Sequence, residues 1–289
     1  METLHDKVVV ITGGASGIGR GLADRFATAG ARIVLADVEE PALTRAVDEL
    51  AVAGAEAIGV QVDVSIEAEV KELLSRALDA YGTVNIACLN AGVGGGGGPL
   101  HTLSAADWQW TLGVNLWGII HGVSAFVPHL VSHGDGHVVV TASIAGLTSY
   151  PWMGPYTTSK HAAVAIAETL FAELREAGSA VGVTCLCPGI VRTRLPDSAR
   201  NRPAGLRNPQ DSSTFTDEQL AVKQFADAVH ARAMAPAEVA ELVHEAILAR
   251  RFWVFTDEVY TPEIQARLDG IRNRTDPTTR GSLLDVYRT

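Results

Sequence analysis

Short apolar runs punctuate the chain at regular intervals: 7-KVVVI-11, 32-RIVLA-36, 57-AIGVQV-62, 84-VNIACL-89, 137-HVVVTA-142, 181-VGVTCLC-187 and, more weakly, 252-FWVF-255. Each is continuous, largely β-branched, and bounded by Gly, Asp or Asn. Unbroken apolar runs suit parallel strands buried on both faces. Stretches with helical spacing fill the gaps, at about 17–29, 39–53, 66–81, 105–132, 155–177, 236–250 and 262–273. Strands alternating with helices predict right-handed βαβ units. The expected architecture is a doubly wound α/β fold, three layers deep, with a mostly parallel sheet of about seven strands in one domain spanning 1–289.

Two segments break this rhythm. The run 94-GGGGG-98 has little backbone preference, so it is either mobile or unusually close to a neighbour. The stretch 196-PDSARNRPAGLRNPQDSSTFTD-217 is polar, rich in Pro and Arg, and poor in large apolar residues. An irregular stretch that long in a compact domain is commonly functional. It is expected to form a substrate lid over about 190–233, with a helix at 217–233, and 256–289 forms a C-terminal extension.

Composition narrows the class. Hydrophobic residues make up 47% and charged residues 19%, as in a globular chain with a large core. The net charge of −10 repels phosphate backbones, so nucleic acid is not an expected partner. The three cysteines, 88, 185 and 187, lie in apolar runs and read as core thiols. The first apolar run stops at Gly13, with charges where a signal peptide needs its apolar region. No run is expected to supply the roughly 18 apolar residues of a membrane span, so no membrane partner and a cytoplasmic location are expected.

The stretch 12-TGGASGIG-19 follows the first strand and opens the first helix. Its glycines permit a tight turn and let backbone N–H groups approach a pyrophosphate at a helix N-terminus. Gly13, Ser16, Gly17, Ile18 and Gly19 are the candidate contacts. Asp37 stands 18 residues after Gly19, near the spacing of about 20 expected for a ligand of the adenine ribose. A carboxylate there accepts from both ribose hydroxyls and repels a 2′-phosphate, which favours NAD over NADP. The alternative is a capping Asp before the second helix. Arg20, the nearest basic residue, sits inside the first helix. Asp63 and Val64 end the third strand, and Asn90 and Gly92 follow the fourth, at the sheet edge where such folds bind ligands.

A further pair stands out. The stretch 155-PYTTSKHAAVAIAETLFAEL-174 reads as a buried helix, yet it opens with Tyr156 and Lys160, which share one face one turn apart. The glycine motif, Asn90-Ala91-Gly92, Asn115, Ser143, Tyr156-x-x-x-Lys160 and Pro188-Gly189 resemble, in order and spacing, the short-chain dehydrogenase/reductase family over about residues 5–255. The resemblance implies a Rossmann-type fold and hydride transfer between nicotinamide and a secondary alcohol or ketone. It implies that Tyr156 is the general acid/base and that Lys160 favours its phenolate and holds the nicotinamide ribose. By the same resemblance Ser143 donates to the substrate oxygen, and Asn115 bends its helix and anchors a relay water. Pro188, Gly189, Val191 and Thr193 would fix the carboxamide. The alternatives are an NADP-dependent carbonyl reductase, which Asp37 opposes, and a dinucleotide-binding scaffold without turnover.

Several features invite other readings. His129, His133 and His137 are spaced by four, but glycines at 134 and 136 interrupt the helix, so a solvated helix end is expected and no metal. Trp108, Trp110 and Trp117 fall in one helix, where core or interface packing is expected. Helices 105–132 and 155–177 are apolar on more than one face, with small residues Ala162, Ala163, Ala165 and Ala167, which predicts a homo-oligomer. The resemblance implies a tetramer through these helices. The substrate wall is expected from 93–100, 144–154 and 190–233, with Leu147, Tyr150, Trp152 and Met153 favouring a bulky, apolar alcohol or ketone. Arginines 192, 194, 200, 202 and 207 would bind a substrate anion or simply be solvated.

Overall fold

The computed structural model describes residues 1–208, 217–277 and 281–287, with only the backbone path of 217–223. Seven strands, β1 (Val8–Thr12), β2 (Arg32–Asp37), β3 (Ala57–Gln61), β4 (Ile86–Leu89), β5 (His137–Thr141), β6 (Gly182–Cys187) and β7 (Trp253–Phe255), form one sheet. The order is β3-β2-β1-β4-β5-β6-β7, and every pairing is parallel. The order in which strands are added reverses between β1 and β4, while the strands themselves stay parallel. A crevice opens there at the carboxyl ends of the strands. Strand ends differ from the expected ones by one or two residues, and at the start of β4 a side chain replaces the ladder. Val84 gives its N–H to His129 Nε2 at 3.1 Å, so β4 begins later than its apolar run.

Alternate strand residues feed two cores. Val8, Val10, Val34, Ala36, Val138 and Val140 face α3 (Glu67–Tyr81), α5 (Gly118–Ser132) and α6 (Gly154–Glu176). Val9, Ile11, Ile33, Leu35, Cys88 and Val139 face α1 (Gly17–Thr28), α2 (Glu40–Val52) and α8 (Pro236–Ala249). Burial on both faces is what requires continuous apolar runs. Each fully buried large apolar side chain contributes about 1.5–3 kcal/mol. Cys88, Cys185 and Cys187 are buried thiols.

The expected helix 105–132 is interrupted. It comprises α4 (Ala105–Leu112), a single π turn (Gly113–Trp117) and α5. Ser104 caps α4 reciprocally with Asp107. The expectation about membrane-length segments needs correction. Ala105–Ser132 is 28 residues long, with a window of mean hydropathy 1.3, enough by length and composition to span a membrane. It buries Ile119, Phe126 and Leu130 on the sheet, as the core helix of a sheet protein does.

The histidines do not form one solvated helix end. The His129 and His133 rings lie 4.2 Å apart between centroids, tilted by 42°, whereas His137 is buried on β5 against Thr184 Oγ1 at 2.8 Å. The β period, not the helical one, governs position 137. Within the expected lid, 3₁₀ turns occupy Leu195–Asn201 and Ala204–Leu206. Residues 209–216 of the expected lid lie outside the described residues. The next helix, α7, spans Asp217–Arg232. In the C-terminal extension, Tyr260 is fully buried ahead of α9 (Thr261–Asn273), and its hydroxyl reaches Leu283 O and Tyr287 Oη, both at 3.4 Å.

Candidate active site

A cavity of about 900 Å³ occupies the crevice at the strand ends. Its floor is the β1–α1 loop. Gly14 N–H donates to Ala36 O at 3.1 Å, and Gly13 and Gly17 adopt positive φ of 64° and 55°. A Cβ at Gly13 would lie 2.9 Å from Ala91 Cα, and one at Gly19 would lie 2.1 Å from Gly13 O. Ser16 is the N-cap of α1, and its side chain makes no capping bond. The first-turn N–H groups of α1 are therefore not taken by that hydroxyl. This bare, glycine-lined cradle at a helix N-terminus fits a dinucleotide pyrophosphate.

Ser16, Gly17, Ile18, Asp37, Asp63, Val64, Asn90, Gly92, Pro188, Gly189, Val191 and Thr193 all line the cavity, as does Gly13. Two expected residues do not. Gly19 lies beneath Gly13, and Asn115 is fully buried behind the wall. Asn115 sits in the π turn, where its amide accepts from Val93 N at 2.8 Å and donates to Val93 O at 2.9 Å and Ser159 Oγ at 3.1 Å. The bonds that an interior Asn would make with its own helix go instead to the strand-end segment.

Asp37 lines the cavity at the end of β2, where an adenosine is expected. Its carboxylate accepts from Ala15 N and from Glu39 N, both at 3.0 Å, while burial pushes its carboxyl up from the ordinary value. The N-cap of α2 is Glu39, not Asp37. Arg20 turns away to Asp24 and Glu49. Asp63 accepts from Ser65 N at 2.9 Å and Ser65 Oγ at 2.7 Å, so its side chain braces the next turn. Asn90 ties β1 to β5 through Thr12 O at 3.0 Å and Thr141 Oγ1 at 3.1 Å.

Ser143, Tyr156 and Lys160 meet on one wall. Pro155 sits in the first turn of α6, so Tyr156 and Lys160 project from the helix entrance over β5. Tyr156 is 8% exposed and Lys160 is 3% exposed. Lys160 Nζ donates to Thr141 O at 2.9 Å and lies 5.7 Å from the Tyr156 ring centroid. Burial pushes the Lys160 ammonium down to about 8, which still leaves it charged at neutral pH. Burial pushes the Tyr156 phenol up, and the Ser143 hydroxyl partly offsets that by hydrogen bonding. Desolvation outweighs that hydrogen bond, so the phenol stands above its ordinary value. Ser143 accepts from Ala145 N at 3.1 Å and donates to Pro188 O at 3.4 Å. That last contact is long enough to be surrendered to a ligand.

The substrate wall differs from expectation. Of the four apolar residues named in 144–154, only Met153 lines the cavity. Leu147 packs on the core, Tyr150 is buried on Glu263, and Trp152 is 59% exposed with φ 70°. Trp110 and Trp117 line the cavity instead, along with Leu195, Leu206 and Leu283. No local pattern marked Leu283, because the C-terminal extension must fold back to place it.

The lid arginines divide: Arg192, Arg194 and Arg207 are exposed, as expected of a solvated lid, whereas Arg200 is half-buried and Arg202 is buried. Arg202 is buried in an ion pair with Asp107 at 2.9 Å and lies over Trp110. Arg194 and Arg200 line the cavity. The glycine run makes a close approach to α4 at two positions. A Cβ at Gly95 would lie 2.6 Å from Thr111 Oγ1, and one at Gly96 would lie 2.6 Å from Asp107 Oδ1. His230, absent from the sequence expectations, accepts from Thr193 N at 3.0 Å at the cavity edge.

These features agree with what the chain resembles. The short chain dehydrogenase family profile matches residues 7–204. A CLA biosynthesis dehydrogenase/reductase of Lactiplantibacillus plantarum is 31% identical, over 94% of this chain and 95% of that protein. A 1-deoxy-11-beta-hydroxypentalenate dehydrogenase of Streptomyces avermitilis is 35% identical, over 88% and 86%. The crystal structure of a short-chain dehydrogenase/reductase from Burkholderia phymatum in complex with NAD superposes with TM-score 0.91 at 45% identity, covering 98% of this chain and 100% of that one. The chain belongs to the short-chain dehydrogenase/reductase family, whose members use NAD(P) to act on CH–OH groups.

Proposed function

We propose that this protein is an NAD-dependent oxidoreductase that interconverts a bulky, largely apolar secondary alcohol and its ketone. The observation that carries this reading is the buried Tyr156 phenol, beside the Lys160 ammonium, on the wall of a cavity floored by the glycine loop. A nicotinamide dinucleotide bound along that floor supplies the hydride acceptor or donor.

The chain supplies the proton chemistry. In oxidation the Tyr156 phenolate takes the hydroxyl proton of the alcohol, and in reduction the phenol returns it to the ketone oxygen. Ser143, whose bond to Pro188 O is weak, turns its O–H to the substrate oxygen. Lys160, anchored on Thr141 O, holds a positive charge near the phenol and offers donors to ribose hydroxyls. Tyr156 starts with a raised pKa, so a second cation is needed to favour the phenolate, which suits oxidation on the oxidised cofactor. Asn115 holds the Val93 backbone through both its amide groups, which steadies the wall opposite Tyr156.

Asp37 supports NAD over NADP, because a 2′-phosphate near its carboxylate would be repelled. The NAD bound by the Burkholderia relative supports the same choice. Trp110, Met153, Leu206 and Leu283 support an apolar substrate. A homotetramer through helices 105–132 and 155–177 is part of the proposal, supported by the outward Val131, 43% exposed on α5.

The test pairs calorimetric titrations with NAD⁺ and NADP⁺ with turnover of a panel of cyclic secondary alcohols. Tighter NAD⁺ binding, with loss of turnover but not of binding in Tyr156→Phe, is expected. An NADP⁺ preference would move the reading to a carbonyl reductase, and an active Tyr156→Phe enzyme would remove Tyr156 as the base.

A further inference from the structure

Glu39 lies two residues beyond Asp37, on the rim of the adenosine end, and Arg200 lies 161 residues later in the first lid turn. A single Glu39 oxygen, Oε1, accepts from Arg200 Nη2 at 2.6 Å, from Arg200 Nε at 3.0 Å and from Asn201 Nδ2 at 2.9 Å. The same guanidinium is fixed on its other edge, where Nη1 donates to Arg194 O at 3.1 Å and Asp197 O at 3.0 Å. Arg200 is therefore a strut with both ends engaged, and both Glu39 and Arg200 line the cavity.

The segment carrying this strut is fastened at two further points. Thr193 packs on the glycine loop, where a Cβ at Gly17 would lie 3.1 Å from Thr193 Cβ. Ser198 Oγ accepts from Gly94 N at 2.9 Å, beyond the end of β4. Residues 193–201 thus run from the pyrophosphate loop to the β4 side and back to the β2 side. They roof the crevice in which the dinucleotide would lie. The three fastenings are unequal. Ser198 is 6% exposed, whereas the Glu39 and Arg200 side chains are each 24% exposed and in reach of water and salt.

We propose that the Glu39–Arg200 pair is a latch across the dinucleotide crevice, which must open for cofactor exchange and so sets how long the cofactor stays bound. This rests on the reading of the crevice as a nicotinamide dinucleotide site. Glu39 and Arg200 are positioning residues here, because they act on the ligand through the strap. An ion pair at this depth, carried by charge-assisted hydrogen bonds, changes an exchange rate by about fivefold to tenfold.

The test is stopped-flow release of NADH, followed by its fluorescence, from the wild type, Glu39→Gln, Arg200→Gln and the double variant, across a series of salt concentrations. Thermal unfolding of each variant checks that the fold is kept. Each single variant is expected to release NADH about fivefold to tenfold faster, and the double variant no faster than either. Wild-type release should accelerate with salt, and release from the variants should not.

Unchanged release in both single variants would overturn the latch. A change in Glu39→Gln alone would also overturn it, because Glu39 would then be acting on the ligand directly. Additive effects would show two independent contacts and overturn it too. If the wild type binds NADPH and not NADH, the NAD reading fails while the same series with NADPH still decides the latch. Saturable binding of neither would overturn the dinucleotide reading and the latch together.

Discussion

Lys160 Nζ donates to the carbonyl of Thr141 at 2.9 Å, an ammonium buried to 3% exposure over the end of β5. A buried cation is costly, and here it is held where a phenolate would form 5.7 Å ring-to-nitrogen away. This explains why an otherwise buried helix opens on Tyr156 and Lys160. The site retains a charge that packing alone would reject.

That cost is measurable. The folded pKa of Lys160, about 8, lies below its ordinary 10.5, so the unfolded chain binds more protons between those values. Lys160 therefore makes stability rise with pH from about 8 to 10.5, by on the order of 3 kcal/mol. Lys160→Met should lose this rise and be at least as stable as the wild type at pH 7. Its turnover should fall about 10²-fold or more. Urea unfolding at pH 7 and pH 10, beside steady-state kinetics, checks both.

His137 should make the protein acid-labile. Burial pushes its imidazole down to about 3, against an ordinary 6.5. Thr184 gives its hydroxyl proton to Arg251 O at 2.8 Å, so His137 Nε2 must be the donor to Thr184, in a neutral ring. Between pH 6.5 and 3 the unfolded chain binds the extra proton, so stability falls as pH falls through that window. At pH 4.5 the loss is about 2–3 kcal/mol. His137→Gln should lose correspondingly less between pH 7 and pH 4.5. Equal losses in the two proteins would show that His137 is not the group responsible.

The glycine run should be intolerant at Gly95 and tolerant at Gly97. Gly95 has φ 76°, and a Cβ there meets the buried Thr111 hydroxyl at 2.6 Å. Gly95→Ala should destabilise by about 1–3 kcal/mol, through strain and overpacking. Gly97, whose nearest neighbour to an added Cβ is Trp152 O at 3.6 Å, should accept alanine within about 0.5 kcal/mol. Chemical denaturation midpoints of the two variants decide the matter.

Arg202 should matter more for folding than for binding. It pairs with Asp107 at 2.9 Å, with side chains 6% and 5% exposed, and Asp107 also caps α4. Arg202→Met leaves that carboxylate buried without its cation, which costs about 3–5 kcal/mol. Adding Asp107→Asn should cost less than the two changes summed, because both remove the same interaction. An additive double-mutant cycle in denaturation would contradict this.

The amino-acid sequence by itself determined the sheet, its helices and the Tyr156–Lys160 pair. Those features are local: a continuous apolar run needs burial on both faces, and the spacing of Tyr156 and Lys160 is one helical turn. The glycine loop was legible for the same reason, since its positive φ values and the start of α1 fall within a few residues. The tertiary structure alone decided how the polar surface segments close on the crevice. Glu39 meets Arg200 across 161 residues, Leu283 returns from the extension to line the cavity, and Gly95 and Gly96 press on α4. It also replaced Tyr150 and Trp152 by Trp110 and Leu206 among the residues that line the cavity. Such pairings leave no periodic trace, because they depend on where the chain path brings two distant loops together and not on the face a residue occupies in its own element.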